Sequence, residues 1–481
     1  MHGLETPPAE ANHGRLRPFS YLALDVPNNS SMRSCRRASR WIRSALLNAT
    51  SRPGVPASAP LHAAEHGLTA EGDVAAAFHL TPLFPSSFAA AAILGGAVAG
   101  ALSIACCAEE RLDRGVLQQL ARDLSSNLNA DKERAVSMLS TLTPYMEHHE
   151  ALLEADVLIC IMKAVEDETI IPQVRVLALC CAADLMKDKT AHHGTVCSHA
   201  FLTMVMAALK SEGAWGEGPE DGLMARSHAC RLLSELCSDG RCHPILIEEG
   251  AARILVEQGA QVAIESEKSG STYASVSAAP ANYNAIHNME VERYLSASLF
   301  GLASSAAGRD TIASAEARIV RGMATWTCSR DPILQRYGVG GIARLASVSA
   351  ENVALVQRAG ALPALVKGLN IPDAQAQCFA SGAVGRIAEI GGEAASTLIQ
   401  HGAASGLLQM LTEKQAGQPN GVFRGVQRCA LRSMQACSRT FVMQQALLSV
   451  GANAALQEIL THADLSQELQ SLTQDTLQLL S

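Results

Sequence analysis

The stretch that decides the fold is Ala359-Gly-Ala-Leu-Pro-Ala-Leu-Val-Lys-Gly-Leu369. Its glycine, Gly360, stands between two short apolar runs. Glycine has no Cβ, so the chain can turn sharply there without the steric cost that other residues would meet. We therefore expect Gly360 to separate two helices.

The same phrase recurs through the C-terminal two-thirds of the chain. Close copies cover residues 247–255, 312–320, 399–408 and 448–456, and weaker copies cover 152–159 and 197–205. The anchor residues of the phrase are Ala155, Ala200, Gly250, Ala315, Gly360, Gly402 and Gly451. Successive anchors are 45, 50, 65, 45, 42 and 49 residues apart. A period in this range is typical of helical repeat proteins.

A second, longer phrase lies between the anchors. It covers residues 174–186, 227–238, 293–305, 335–347, 377–390 and 428–438. Apolar residues fall at i, i+3, i+4 and i+7 in each copy, which predicts an amphipathic helix. In one copy Ala380, Ala383, Val384 and Ile387 form the stripe that should be buried.

The three longer spacings have a common cause. Each contains a polar, Gly-, Ser- or Pro-rich insert just after the first phrase, at residues 211–222, roughly 261–288, and 413–422. Because the inserts fall at one point of the repeat, the loops should emerge on one edge of a solenoid.

Composition agrees with stacked helices. Apolar residues make up 48% of the chain but aromatic residues only 4%, so the core must consist mainly of Ala, Leu, Val and Ile. Small residues let helices approach closely. The net charge of −8 gives no sign of general nucleic-acid binding. Most of the fourteen cysteines lie in apolar helical runs, where we expect reduced core residues.

The glycine phrase followed by an Ala-rich helix resembles the armadillo repeat family. The resemblance covers about residues 140–481 and is sharpest from 240 to 460. It implies three helices per repeat, the third lining a concave groove. We expect an all-α fold, in which residues 109–481 form a right-handed α-solenoid of about seven degenerate armadillo-like repeats. Ala315 departs from the glycine pattern and weakens its repeat.

The resemblance also predicts which residues line the groove. Importin-alpha-like members carry Trp and, four residues later, Asn on each third helix, where they bind basic peptides. The matching positions here are Cys180/Asp184, Arg231/Glu235, Ala297/Gly301, Gly340/Arg344, Gly382/Arg386 and Leu431/Gln435. They contain neither Trp nor Asn, and Trp326 lies elsewhere, so a nuclear-import role is disfavoured.

Arginines dominate the C-terminal part of the predicted groove. We expect Arg344 and Arg386 to stack along it, with Arg336, Arg428 and Arg432 nearby. Beta-catenin-like members use such basic residues to bind acidic extended partners, so our hypothesis is an acidic partner segment. The alternative is that these arginines are solvated or pair with acids on neighbouring helices.

Residues 1–64 differ from the rest. Residues 1–110 contain no lysine, and the run 32–47 is rich in Arg and Ser and free of acids, which is typical of a mitochondrial or plastid transit peptide. We predict a targeting presequence that is disordered or cleaved, with translation starting at Met1 or Met32. A disordered basic tail is the alternative.

Residues 65–85 are predicted to be a linker, and residues 86–108 one hydrophobic helix. At about 1.5 Å per residue, that helix is long enough to cross a ~30 Å hydrocarbon layer. Arginines precede it and Glu109 and Glu110 follow, which orients the solenoid away from the matrix or stroma. A cleaved sorting signal and a buried helix of the repeat domain are the alternatives.

Chemical motifs are few. No phosphate-binding loop, G-x-S-x-G or H-E-x-x-H sequence occurs. Gly338-Val-Gly-Gly is better explained by close helix packing than by a nucleotide loop. His192, His193, Cys197 and His199, and separately Cys237, Cys242 and His243, offer metal-ligand types, but inter-repeat loops and core cysteines explain them as well. His148-His149 is interpreted as a solvated helix end.

The predicted function is a non-enzymatic protein-interaction scaffold tethered to a membrane. We expect no cofactor, metal, nucleic acid or small-molecule substrate. The predicted location is the mitochondrial inner membrane, with the repeats in the intermembrane space; a plastid is an alternative. Two other functions remain open: a cytosol-facing outer-membrane adaptor for organelle dynamics, and a structural subunit of a large organellar complex.

Overall fold

The structure is a computed structural model that describes residues 114–187, 190–210, 215, 219–268, 283–414, 418–461 and 465–481. Within these ranges the regular elements are all helices. None of these helices is long and apolar enough to cross a membrane. The targeting segment, the linker and the hydrophobic helix predicted over residues 1–108 lie outside the described residues.

The described helices follow one another as a pair and then as seven groups of three. The pair is α1 (Arg114–Leu124) and α2 (Asn129–Leu142). The next groups are α3 (His149–Glu154), α4 (Val157–Glu166), α5 (Pro172–Met186); α6 (His193–Val196), α7 (His199–Leu209), α8 (Pro219–Ser238); α9 (His243–Glu248), α10 (Ala251–Lys268), α11 (Tyr283–Leu302); and α12 (Ala306–Ser314), α13 (Glu316–Thr327), α14 (Pro332–Ala346). The last are α15 (Ala350–Arg358), α16 (Leu362–Gly368), α17 (Ala374–Ile390); α18 (Gly392–Gln400), α19 (Ala403–Thr412), α20 (Asn420–Ser438); and α21 (Phe441–Ser449), α22 (Ala452–Leu460), α23 (Gln467–Leu480).

The glycine anchors mark the turn between the first and second helix of a group, as predicted. Gly250, Gly360, Gly402 and Gly451 have φ values of 78°, 69°, 88° and 83°. Other residues avoid this left-handed region because their Cβ meets the backbone there. The repeats are therefore defined by a backbone conformation that glycine adopts easily.

The three alanine anchors behave differently. In the first group Asp156, one residue after the predicted Ala155, takes the left-handed conformation with φ 55°. The prediction for Ala200 is wrong, because the chain turns before it and Ala200 lies inside α7. Ala315 joins α12 to α13 with φ −82°, so the weakest repeat turns without a left-handed residue.

The third helices form a continuous layer. Successive members of the series α2, α5, α8, α11, α14, α17, α20 and α23 pack against one another; α2, from the initial pair, is the first of this layer. The second amphipathic phrases fall within them, as predicted, and the stripe of Ala380, Ala383, Val384 and Ile387 is buried. We call the surface of this layer the third-helix face.

Small residues permit this close stacking. A Cβ on Gly338 would lie 2.7 Å from the Met323 carbonyl oxygen and 2.8 Å from the Thr327 nitrogen, so α14 touches the backbone of α13. A Cβ on Gly301 would likewise meet the Cys237 carbonyl of the preceding third helix. The interpretation of Gly338-Val-Gly-Gly as a packing motif is confirmed.

The inserts lie between the second and third helices of their groups. They are shorter than predicted, because α10 continues to Lys268 and α8, α11 and α20 begin at Pro219, Tyr283 and Asn420. Polar residues that sequence reasoning assigned to loops instead extend the helices. A helix accepts polar residues wherever one of its faces meets solvent.

Candidate functional site

Arginines and acids pair between successive third helices. Arg231 on α8 forms an ion pair with Asp184 on α5. Arg293 on α11 pairs with Asp331 at 2.6 Å, and Arg336 on α14 pairs with Asp373. The pairs follow the repeat, so each links one group to its neighbour.

Two of these carboxylates also cap helices. Asp331 accepts hydrogen bonds from the backbone nitrogens of Ile333 and Leu334 at the start of α14. Asp373 accepts one from Ala376 at the start of α17. One carboxylate thus satisfies a helix terminus and holds the arginine of the preceding third helix.

The third helices α14, α17 and α20 together contain more arginine than acid. Arg428 and Arg432 on α20 both lie 3.5 Å from a single carboxylate, Glu468 on α23. Arg386 on α17 pairs with Glu389 at 3.1 Å within its own helix, and the same Glu389 accepts a hydrogen bond from Arg439. Here arginines share carboxylates rather than each having its own.

An aromatic cluster fills the middle of the third-helix face. The Phe300 ring of α11 lies 5.5 Å from Tyr337 of α14 and 5.2 Å from Phe379 of α17, centre to centre. Arg344 lies over Phe300, with its guanidinium carbon 3.5 Å from the ring centre. Gly340 makes room, because a Cβ there would come within 2.6 Å of the Phe300 ring. All three rings are partly exposed.

The structure places the predicted groove pairs on third helices but not all of them on the surface. Leu431 is buried, so the exposed ridge of α20 passes through Arg428, Arg432 and Gln435 instead. Glu235 and Arg231 on α8 are both half-buried. Trp326 is a core residue on α13, whose Nε1 donates to Glu292 at 2.8 Å.

The observed partners differ from those expected for Arg344 and Arg386. Arg344 stacks on Phe300, and Arg386 pairs with Glu389. The aromatic cluster was not predicted. The sequence carried a signal for it: aromatic residues are only 4% of the chain, yet three consecutive third-helix phrases contain Phe300, Tyr337 and Phe379. Their convergence depends on the register of three helices.

The third-helix face changes charge along its length. Helices α14, α17 and α20 contain six arginines and one acidic residue, a net charge of +5. Helices α2, α5 and α8 carry basic and acidic residues in nearly equal number, and α23 carries two acids and no basic residue. On a chain of net charge −8, this local excess of arginine is a distinct basic surface, which we call the basic face.

The N-terminal histidines are buried, contrary to expectation. His149 opens α3, and its Nε2 donates to the Thr143 carbonyl at 2.6 Å. The interpretation of His148-His149 as a solvated helix end is wrong, since both side chains are buried. The ring lies beneath the end of the preceding third helix, where a free carbonyl needs a donor.

Comparison with known proteins supports the fold alone. Neither a protein-family model nor a curated protein matches the sequence. An engineered protein of known structure is 19% identical over 82% of this chain and 94% of its own, with a TM-score of 0.52. A designed armadillo repeat protein is 21% identical over 58% of this chain and 100% of its own, with a TM-score of 0.44.

A further designed armadillo repeat protein, solved in complex with the peptide (KR)4, is 22% identical over 58% of this chain and 99% of its own, also with a TM-score of 0.44. Identities this low concern architecture rather than ligands. The glycine turns and the layer of third helices show an α-solenoid built from three-helix groups, and the match with a TM-score of 0.52 agrees with that fold.

Proposed function

We propose that this armadillo-like solenoid is a non-enzymatic protein-interaction scaffold that binds an acidic, extended segment of a partner protein along the basic face. The observation that supports this most is the charge of α14, α17 and α20, with six arginines against one acid. Guanidinium groups bind carboxylates through two parallel hydrogen bonds, so they suit acidic peptides better than lysine would.

The intramolecular ion pairs do not prevent such binding. Arg386 and Arg432 retain about half of their side-chain exposure, 45% and 53%. Exposed pairs of this kind contribute only about 0–1 kcal/mol. A partner carboxylate can therefore replace Glu389 or Glu468 at a small cost in free energy. It would also form ion pairs with arginines that otherwise share a single carboxylate.

The aromatic cluster gives the basic face an apolar end. Phe300, Tyr337 and Phe379 offer partly exposed rings next to Arg344. Aromatic residues and arginine are enriched among the residues that dominate binding energy at protein interfaces. We expect the partner segment to combine acidic residues with an apolar or aromatic side chain.

The test is a selection of displayed peptides on the full chain. We expect the selected peptides to be acidic and to lose binding to the double variant Arg386→Glu/Arg432→Glu. The matched control is Arg253→Glu/Arg318→Glu, which makes the same change of charge at exposed arginines of second helices. Selected peptides that are neutral or basic, or that bind the first variant unchanged, would contradict the proposal.

Residues 1–108 carry the features that bear on the location of the protein. We propose that residues 1–64 direct the protein to the mitochondrion and that residues 86–108 anchor it in the inner membrane, with the solenoid in the intermembrane space. The support is the Arg- and Ser-rich composition and the apolar length of these segments. A plastid, or an outer membrane with the solenoid facing the cytosol, is the alternative.

Location is tested by sequencing the mature N-terminus and by protease protection in isolated organelles. A solenoid that is protected until the outer membrane is ruptured supports the proposal. Immediate digestion of the solenoid, with an intact N-terminus, would favour the cytosol-facing adaptor.

A structural subunit of a large complex is the second candidate. Phe441 and Val442 open α21 with 74% and 56% of their surface exposed, which is unusual for large apolar side chains. If they contact a permanent partner, Phe441→Ser/Val442→Ser should reduce the native mass of the assembly while peptide binding at the basic face stays unchanged. An unchanged native mass would remove this candidate.

A further inference from the structure

Three successive groups share one histidine contact. His149, His193 and His243 are each the first residue of a first helix, and each is about 1% exposed. The Nε2 atom of each donates to a carbonyl within one residue of the end of the preceding long helix, at 2.6, 3.0 and 2.7 Å. A carbonyl only accepts, so Nε2 carries a proton in all three rings.

The other ring nitrogen distinguishes His193 from His243. The Nδ1 of His243 forms a 2.7 Å hydrogen bond with the Ser305 hydroxyl. The buried Nδ1 of His193 has no hydrogen-bond partner. It lies 3.4 Å from an oxygen of Asp239 and faces Cys242. A buried nitrogen without a hydrogen-bond partner is costly, and an ion held between this nitrogen, the carboxylate and the thiol would satisfy it.

The three groups are close enough to share one ion. His193 Nδ1, an Asp239 oxygen and Cys242 Sγ all lie within 4.8 Å of one another. In a tetrahedral zinc site, bonds of about 2.0–2.3 Å place the ligand atoms roughly 3.3–3.8 Å apart. The 3.4 Å between His193 and Asp239 already has that spacing.

A fourth donor lies beside them. The buried Cys197 side chain neighbours Cys242, outside the group of three ligand atoms that lie within 4.8 Å of one another. The donors therefore come as His193-x3-Cys197 and Asp239-x2-Cys242, and both spacings are typical of zinc ligands.

The surroundings suit a metal ligand set. The Nε2–H of His193 is fixed by the Met186 carbonyl, which is the outer contact usual for a metal-bound histidine. Arg241 donates to both oxygens of Asp239 and fixes its orientation. Two thiolates and a carboxylate exceed the charge of a divalent ion by one, and the Arg241 guanidinium offsets that excess.

We infer that His193, Asp239 and Cys242 form a structural site for a zinc-like divalent cation, with the neighbouring Cys197 as its fourth ligand. His193 and Cys197 lie before α7, whereas Asp239 and Cys242 lie between α8 and α9. A bound ion would join one group of helices to the next at the edge where third helices end. The inference is independent of the proposed function, since none of these residues lies on the basic face.

The test is a titration of the reduced, metal-free full chain with Co²⁺ without oxygen. We expect about one equivalent to bind in a tetrahedral site, with thiolate-to-cobalt charge transfer and d–d absorption, and Zn²⁺ to displace it. Cys242→Ser should weaken binding more than about 100-fold, and the nearly isosteric Asp239→Asn should weaken it less. Zinc should raise the Tm of the wild type but not that of Cys242→Ser.

The matched control is Cys230→Ala, which removes a fully buried cysteine of α8 and should bind Co²⁺ like the wild type. Any of three results would overturn the inference. These are a folded wild type without thiolate-to-cobalt absorption, unchanged binding by Cys242→Ser, and quantitative formation of a Cys197–Cys242 disulfide in the purified protein even when zinc is present.

Discussion

The guanidinium of Arg344 lies over the ring of Phe300, and its Nη1 donates a 2.5 Å hydrogen bond to the carbonyl of the same residue. One side chain of α14 is thus held by both the ring and the backbone of α11. Because Arg344 is ordered before any partner binds, less side-chain entropy is lost on binding.

Replacing Arg344 by lysine tests how much this contact contributes to stability and to peptide binding. Lysine keeps the charge but cannot stack as a plane, so Arg344→Lys should lower the free energy of unfolding by about 1 kcal/mol and weaken binding of an acidic peptide. Chemical denaturation and fluorescence anisotropy measure the two effects. Arg386→Lys is the control, since its exposed partner Glu389 lies on the same helix; it should change stability by less than about 0.5 kcal/mol. If Arg344→Lys and Arg386→Lys lowered the free energy of unfolding equally, the stabilising contact between Arg344 and Phe300 would be contradicted.

Close stacking of third helices predicts opposite effects for two glycines. A Cβ at Gly338 would press on the backbone of α13, so Gly338→Ala should destabilise the fold by about 1–3 kcal/mol. Gly382, exposed on α17, has no atom within 4 Å of a built Cβ. Gly382→Ala should be neutral or stabilise by up to about 1 kcal/mol, because alanine favours helix. Urea unfolding compares them, and a stable Gly338→Ala would be inconsistent with the packing described.

The two roles of Asp331 can be separated. Asp331→Ala removes the cap of α14 and the partner of Arg293, and it should cost about 2–4 kcal/mol. Asp331→Asn keeps a cap acceptor and should lose clearly less. Thermal or urea unfolding gives both values, with exposed Asp310→Ala as a control expected within about 0.5 kcal/mol of wild type. If Asn and Ala cost the same, the cap contributes nothing.

Protonation of Asp167 should weaken the link between α2 and the loop before α5. Hydrogen bonds from Lys132, at 2.5 Å, and Thr169 lower the pKa of this carboxyl to about 2. Its folded pKa lies below the unfolded value of about 3.9, so its contribution is complete above that value and is lost as the pH falls toward 2.

The consequence is that Lys132→Met should cost more stability at pH 7 than at pH 3, by at most about 1 kcal/mol because the pair is partly exposed. Urea unfolding at the two pH values measures this. Lys367, which donates to the Cys328 carbonyl, serves as the control: the cost of Lys367→Met should not depend on pH. The same pH independence in Lys132→Met would rule out the ion pair as a source of stability.

The sequence predicts features that one residue determines locally. A left-handed turn requires glycine or, less well, Asp or Asn, so Gly250, Gly360, Gly402 and Gly451 disclose the period of the repeat. Ala200 shows the limit of this reasoning. Without a conformationally special residue at the turn, pattern matching placed the turn inside a helix.

Features that depend on the register between repeats could not be predicted. The donors around His193 come from two loops that the sequence analysis treated as separate clusters, and packing of successive groups brings His193 of the first together with Asp239 and Cys242 of the second loop. The same holds for Arg428 and Arg432, which share Glu468 from the next third helix. Spacing within one repeat carries no information on such contacts, because they depend on the stacking of whole helices.

The central claim is that the basic face prefers an acidic peptide, and comparing an acidic with a basic peptide tests it most directly. Fluorescence anisotropy should compare labelled (Asp-Glu)4 and (Lys-Arg)4 peptides on the full chain at low and physiological salt. We predict that the acidic peptide binds more tightly, that salt weakens it as screening shortens to about 8 Å, and that Arg386→Glu/Arg432→Glu abolishes the preference. Equal binding of the two peptides, or tighter binding of (Lys-Arg)4, would contradict the account.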